Sequence, residues 1–113
     1  MNKVKHKILR SYITSSGKIP FLEWLNNLKD PHTRLRIRRR LDRLELGNLG
    51  DCKSVGEGVL ELRFSFGPGY RIYFAELDNI IAILLCGGNK SSQKKDIKIA
   101  KLYWQDLKER SNE

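Results

Sequence analysis

The chain predicts an α+β fold, with two N-terminal helices packed on a small, mostly antiparallel sheet and a C-terminal helix, in the order β-α-α-β-β-β-α. Three observations carry this. Residues Val59–Phe74 alternate apolar and polar side chains on both sides of a Gly67-Pro68-Gly69 turn, the pattern of a hairpin with one buried face. Ile80–Leu85 is an unbroken apolar run, as expected of a strand buried on both faces. Two segments with apolar residues at i, i+4 and i+7 precede the hairpin, and a third amphipathic segment follows the run, the pattern of helices laid against a sheet.

Taken in order, residues 6–14 give a short first strand around Ile8, Tyr12 and Ile13. Ser15-Ser16-Gly17-Lys18 is a turn, and Pro20 suits the first position of a helix. Phe21, Leu25 and Leu28 form that helix's apolar stripe, widened by Leu22 and Trp24. Asp30 caps a second helix that Pro31 opens. It runs to about Leu46, with Ile37, Leu41 and Leu44 inward and Gly47 as its C-cap. Gly47–Gly56 lacks periodicity and any phosphate-loop pattern, and reads as a surface connection.

In the hairpin, a three-residue loop from Gly67 to Gly69 pairs Phe66 with Tyr70 and Phe64 with Ile72, so that the two apolar sets meet. The same register sets Arg63 opposite Tyr73 and Ser65 opposite Arg71. The two arginines then lie diagonally, with Cβ atoms roughly 7 Å apart, on a face expected to stay partly open. Leu77-Asp78-Asn79 is a second turn. Ser91 or Ser92 caps the last helix, which reaches about Lys108 with Ile97, Ala100, Tyr103, Trp104 and Leu107 inward and Lys94, Lys98, Lys101 and Lys108 opposite. Residues Glu109–Glu113 are expected to fray. With 113 residues and no internal repeat or linker, residues 1–113 form one domain.

Lys and Arg number 22 against 13 Asp and Glu, a net charge of +9. That excess points to a polyanionic partner, most simply nucleic acid. Cys52 and Cys86 stand in neither a CxxC nor a Cys/His cluster, which argues against a zinc site or a disulfide framework. No leader peptide or membrane span is legible, so a cytoplasmic protein is expected. No serine–histidine–acid set and no acid/base carboxylate pair is evident, and His6 and His32 read as incidental. Arg63, Arg71 and Lys90 instead gather at one end of the sheet, beside the N–H groups that open the last helix, as a bowl for phosphate. Singly, each has a plain structural reading: Arg63 paired with Glu61, Arg71 and Tyr73 as cross-strand packing, the second helix's arginines as a solvated face. Together, with the net charge, they read as an anion site.

At this point the residues match a known pattern. Glu61-Leu62-Arg63 on one strand and Tyr70-Arg71-Ile72-Tyr73-Phe74 on the next resemble the RelE/ParE superfamily of bacterial toxins. Phe21-Leu22-Glu23-Trp24-Leu25, Gly47-Asn48-Leu49-Gly50-Asp51-Cys52-Lys53 and Leu84-Leu85-Cys86-Gly87-Gly88-Asn89-Lys90-Ser91-Ser92-Gln93 resemble its HigB-like addiction-module killer branch, so the likeness spans about residues 8–108. The resemblance implies a RelE-like fold and the toxin half of a type II toxin–antitoxin pair. It implies a ribosome-dependent endonuclease that cuts mRNA without metal or other cofactor, the RNA's 2′-OH attacking the adjacent phosphate. The implied partners are the ribosome, mRNA and a small antitoxin with a helix-turn-helix, with no membrane. Carried over by position, Arg71 and Lys90 face the charge on the scissile phosphate, and Arg63 positions it or steadies the leaving group. Tyr70 and Tyr73 stack on a base or steer the 2′-OH. Lys53, Lys94, Lys95, Arg39 and Arg43 complete the expected RNA-binding set. The chain departs from RelE-like nucleases in carrying Val59 and Glu61 where lysines are frequent, and in having no C-terminal histidine, while Tyr103 lies on the core stripe; no general base is assigned. Two other functions share the fold: a ParE-like inhibitor of DNA gyrase, and an inactive toxin-like module that only binds its antitoxin or RNA.

Overall fold

The computed structural model describes residues 6–111; Asn112 and Glu113, at the tip of the tail expected to fray, lie outside the described residues. Its elements are β1 (Ile8–Ser11), α1 (Pro20–Asn27), α2 (Pro31–Glu45), β2 (Cys52–Gly56), β3 (Val59–Arg63), β4 (Arg71–Leu77), β5 (Ile81–Gly88) and α3 (Gln93–Ser111), the last entered through a single 3₁₀ turn, Lys90–Ser92. The five strands form one mixed sheet in the order β1-β5-β4-β3-β2, with β1 parallel to β5 and the other pairings antiparallel.

The helices obey their sequence signals. Pro20 and Pro31 stand at the two N-termini. The Asp30 carboxylate accepts the His32 N–H and the Thr33 hydroxyl, bonds that hold it below its ordinary pKa and fill one of the first turn's orphan donors. Phe21, Leu25, Ile37, Leu41 and Leu44 pack with Leu62, Phe64, Ile72, Phe74, Ala82 and Leu84 of the sheet. Fully burying a side chain such as Ile37 or Leu44 contributes roughly 2–3 kcal/mol.

Four expectations are corrected. The first is the glycine-rich connection, whose second half is strand β2, with Lys53 opposite Glu61 and Ser54 opposite Leu60. It has weak strand propensity and no alternation because it is an edge strand, recruited by β3 rather than by its own burial. The second is the face carrying Arg63, Arg71 and Tyr73. It is covered: α3 lays Ala100 and Trp104 over Val59, Tyr73, Ala75, Ile83 and Leu85, so helices sit on both faces of the sheet. The third is the hairpin register. Arg63 pairs with Arg71, Leu62 with Ile72 and Glu61 with Tyr73, two residues away from the expected pairing. A two-residue shift preserves which face each side chain takes, so the apolar sets still meet. The cause is a longer loop: Phe66 and Gly69 close a turn (Gly69 N–H to Phe66 C=O, 3.2 Å) in which Gly67 takes φ +60°. Phe66 leaves the ladder to pack on Phe64 and Tyr70 at 5.9 and 5.5 Å, beneath the Arg36 guanidinium at 3.7 Å.

The fourth correction is the cap of the last helix. Asn89, rather than Ser91 or Ser92, accepts the N–H groups of Ser91 and Ser92, and the Ser92 hydroxyl in turn accepts the Asn89 N–H. This reciprocal box starts the turn a residue or two before the predicted cap. At its other end α3 runs on through Glu109 and Arg110 to Ser111, where fraying was expected. The Arg110 guanidinium holds it there, donating to the Ile13 carbonyl at 2.6 Å and pairing with Asp106.

Candidate nucleic-acid interface

The site is built where β3, β4 and β5 meet the start of α3. Arg63 and Arg71 are directly opposite on adjacent strands, a placement that like charges tolerate only when each has a counter-charge. Each has one. Arg63 lies 3.1 Å from the Asp51 carboxylate. The Arg71 Nε is 3.4 Å from Glu61, and its Nη1 donates to the Gly69 carbonyl at 2.8 Å. Arg71 is the more enclosed of the two, with 11% of its side chain exposed against 37% for Arg63.

Glu61 is the buried hub of this end. Only 1% of it is exposed, and its Oε2 accepts the Tyr73 hydroxyl at 3.0 Å and the Gln93 amide at 2.9 Å. A buried carboxylate survives only with such partners. Burial and the Glu61 bond push the Tyr73 hydroxyl far above its ordinary pKa. It stays protonated and serves as a donor, not as a proton acceptor.

Lys90 enters from the 3₁₀ turn. A Cβ built on Gly69, which has φ +76°, would stand 3.2 Å from Arg71 Nη1 and 3.3 Å from Lys90 Cβ. Arg71 and Lys90 therefore flank the same glycine, and Lys90's backbone N–H reaches Pro68 C=O at 3.3 Å. Lys90 is exposed, and among the described residues its ammonium has no ion-pair partner. Lys90, Ser91, Ser92, Gln93, Lys94 and Lys95 line one open cleft.

The structure thus gathers Arg63, Arg71, Lys90, Lys94 and Lys95, with Lys53 exposed on the neighbouring edge strand opposite Glu61. It does not gather the rest. Tyr73 is fully buried and offers no face to a base, a correction that follows from α3 closing over the sheet. Tyr70 is half-buried in the other layer, its ring edge-on to Trp24 at 6.2 Å. Arg39 and Arg43 are exposed on α2, whose core face lies across the sheet from α3. Among the arginines of that helix, Arg34 donates to the Leu28 carbonyl. Arg40 ties together the Arg63, Leu49 and Asp51 carbonyls, and burial lowers its pKa.

Sequence reasoning missed Glu61 as an anchor, Asp51 as a partner and Gln93 altogether. The signal for Glu61 was present: an acid on the same face of the hairpin as Arg71 and Tyr73 of the partner strand, a face that only the packing of α3 made an inward one. Among the described residues, no cluster of three or more His, Cys, Asp or Glu side chains is placed to hold a metal ion, and no helix is long and apolar enough to cross a membrane.

Residues 23–105 match the family described as phage-derived protein Gp49-like (DUF891). The chain belongs to this family. It is also similar to an uncharacterized protein of Haemophilus influenzae, 48% identical over 89 residues that cover 79% of this chain and 90% of the relative. The Gp49-like match takes in Trp24, the whole hairpin and α3 as far as Gln105. Arg63, Arg71, Lys90 and the Glu61 hub all lie inside it.

Proposed function

We propose that this Gp49-like chain is the toxin of a type II toxin–antitoxin module and acts in the cytoplasm as a ribosome-dependent mRNA endonuclease. Its family is toxin-like and associated with toxin–antitoxin modules. The observation that carries the reading is the convergence of Arg71 and Lys90 on Gly69, with Lys90 also lining an open cleft together with Lys94 and Lys95. In this reading the RNA's 2′-oxygen attacks the adjacent phosphorus. The 5′-oxygen leaves with the proton that the 2′-hydroxyl gives up, and the products are a 2′,3′-cyclic phosphate and a 5′-hydroxyl. No metal or cofactor is required. Arg71, hydrogen-bonded to the Gly69 carbonyl, and the long-stemmed Lys90 meet the charge that builds on the phosphoryl oxygens. Arg63 orients the phosphate, and Lys53, Lys94 and Lys95 hold flanking phosphates. The partners are the ribosome, mRNA and a small antitoxin.

Lys90→Ala is the cleanest test, because Lys90 is exposed and removing it leaves no buried charge. Primer extension on a reporter mRNA after induction should show cuts with the wild type and their loss, with growth restored, for Lys90→Ala and Arg71→Ala. Growth arrest with intact mRNA and gyrase-linked DNA breaks would overturn the nuclease and establish the second reading, a gyrase inhibitor. Two observations favour that alternative: both hairpin arginines are already ion-paired, and the Tyr73 hydroxyl is no proton acceptor.

A further inference from the structure

Glu61 is the feature that the proposed chemistry leaves unused. Its carboxylate is held at 1% exposure inside a protein of net charge +9, and it joins three elements, receiving groups from two besides its own. Arg71 and Tyr73 come from β4, Gln93 from the first residue of α3, and Glu61 itself from β3. A structural role alone would be met by Tyr73 and Gln93, which satisfy one carboxylate oxygen between them. The Arg71 contact is different in kind. Its Nε is buried without a hydrogen bond and sits 3.4 Å from Glu61. The attraction there is that of charge, and the direct hydrogen bond of this guanidinium goes to Gly69 C=O.

We infer that Glu61 is a positioning residue, which fixes the Arg71 guanidinium beside Gly69 and, through Gln93, sets the start of α3 and its Lys90 turn at a constant distance from it. This rests on the reading of Arg71 and Lys90 as contacts to an RNA phosphate. The physical consequence is a trade. The Glu61 charge offsets that of Arg71, so it weakens the general attraction for RNA while it holds the geometry that the reaction needs. A neutral residue of the same shape reverses both. Glu61→Gln keeps an oxygen for the Tyr73 hydroxyl and the Gln93 amide but frees Arg71. Binding should then tighten and become more salt-dependent, while cleavage falls, on the order of 10²-fold for a displacement near 1 Å.

The test measures binding of a short, fully 2′-O-methylated RNA, which cannot be cut, by fluorescence anisotropy across a salt series, beside cleavage of the unmodified reporter with ribosomes. For Glu61→Gln, the slope of log affinity against log salt should steepen by about 0.7, one additional phosphate contact, with cleavage lost. Glu61→Gln/Arg71→Ala should return the slope to that of Arg71→Ala. In the free protein, the Arg71 Nε–H signal in the nitrogen NMR spectrum should be sharp in the wild type and exchange-broadened in Glu61→Gln. Binding and cleavage that fall in proportion to the folded fraction, or that stay unchanged, overturn the inference and leave the functional reading standing. A wild type that neither binds the methylated RNA nor cuts the reporter with ribosomes overturns the functional reading and the inference together.

Discussion

Gly87→Ala should be costly, for a reason confined to one contact. Gly87 has ordinary strand backbone with no positive φ, so its conformation alone would admit any residue. Space does not. A Cβ there would stand 2.2 Å from Trp24 Cε3, 2.3 Å from Cδ2 and 2.6 Å from Cζ3, where carbon atoms need about 3.5–4.0 Å. The indole must move by more than about 1 Å, which disturbs its packing on Phe21 and Tyr70, whose rings stand 6.0 and 6.2 Å from it. Overpacking of this kind costs about 1–3 kcal/mol, and loosening two aromatic contacts adds about 0.5–1 kcal/mol for each. The expected loss is about 2–5 kcal/mol, a fall in Tm of roughly 8–20 °C for a chain of this size. Urea unfolding followed by circular dichroism and tryptophan fluorescence measures it. The decisive control is Trp24→Ala/Gly87→Ala. Once the indole is gone, alanine at 87 should be neutral or favourable by about 0.5–1 kcal/mol, giving a coupling energy of at least about 2 kcal/mol. A Gly87→Ala protein as stable as the wild type, or a double mutant whose losses simply add, would refute the reasoning.

Arg40→Ala should lower stability by about 2–3 kcal/mol, since the Arg63, Leu49 and Asp51 carbonyls lose a charged donor, although that of Asp51 keeps the Arg63 N–H; Arg40→Lys should restore less than half in the same urea titration, because an ammonium cannot span the fork. Lys94→Ala/Lys95→Ala should lower the salt slope for single-stranded RNA by about 1.4, two phosphate contacts, while Arg39→Ala/Arg43→Ala, on the other layer, should leave it unchanged; an equal effect from α2 would move the RNA path. Alkaline stability tests the buried tyrosines. Burial and the 2.5 Å bond to Asp106 raise Tyr12 from 10.0 to about 12, and burial and Glu61 raise Tyr73 in the same direction. The unfolded chain sheds these protons first, so the tyrosines' contribution to stability is full below pH 10 and declines as pH rises towards 12, by about 1.4 kcal/mol per pH unit for each tyrosine. Tyr12→Phe should make the decline between these limits shallower by about 1.4 kcal/mol per pH unit, as read from urea midpoints at stepped pH; an unchanged decline would place the cause elsewhere.

Much of the architecture was legible because it is written in short-range periodicity. Period two in Leu60–Phe66 and Tyr70–Phe74 assigned every hairpin side chain to its observed face, even though the register was misplaced by two residues. Pro20, Asp30 and Pro31 located both N-terminal helices, since these residues act on the backbone beside them. Ile97, Ala100, Tyr103, Trp104 and Leu107 named the inward stripe of α3, of which Ala100 and Trp104 became buried core. Strand β2 was hidden because an edge strand needs little burial of its own, and its pairing is specified by β3.

The sequence by itself determined a toxin-like resemblance, the faces of the elements and the gathering of Arg63, Arg71 and Lys90 at one end of the sheet. Only the tertiary structure decided what each cation faces. Ion-pair choice depends on distances between residues remote in sequence: Asp51 from Arg63, Glu61 from Gln93, Gly69 from Lys90. Those distances were set by the loop that folded Phe66 under Arg36 and by the helix that closed over Tyr73. Neither leaves a periodic trace in the chain, because both arise from packing between elements and not from the preferences of any one of them.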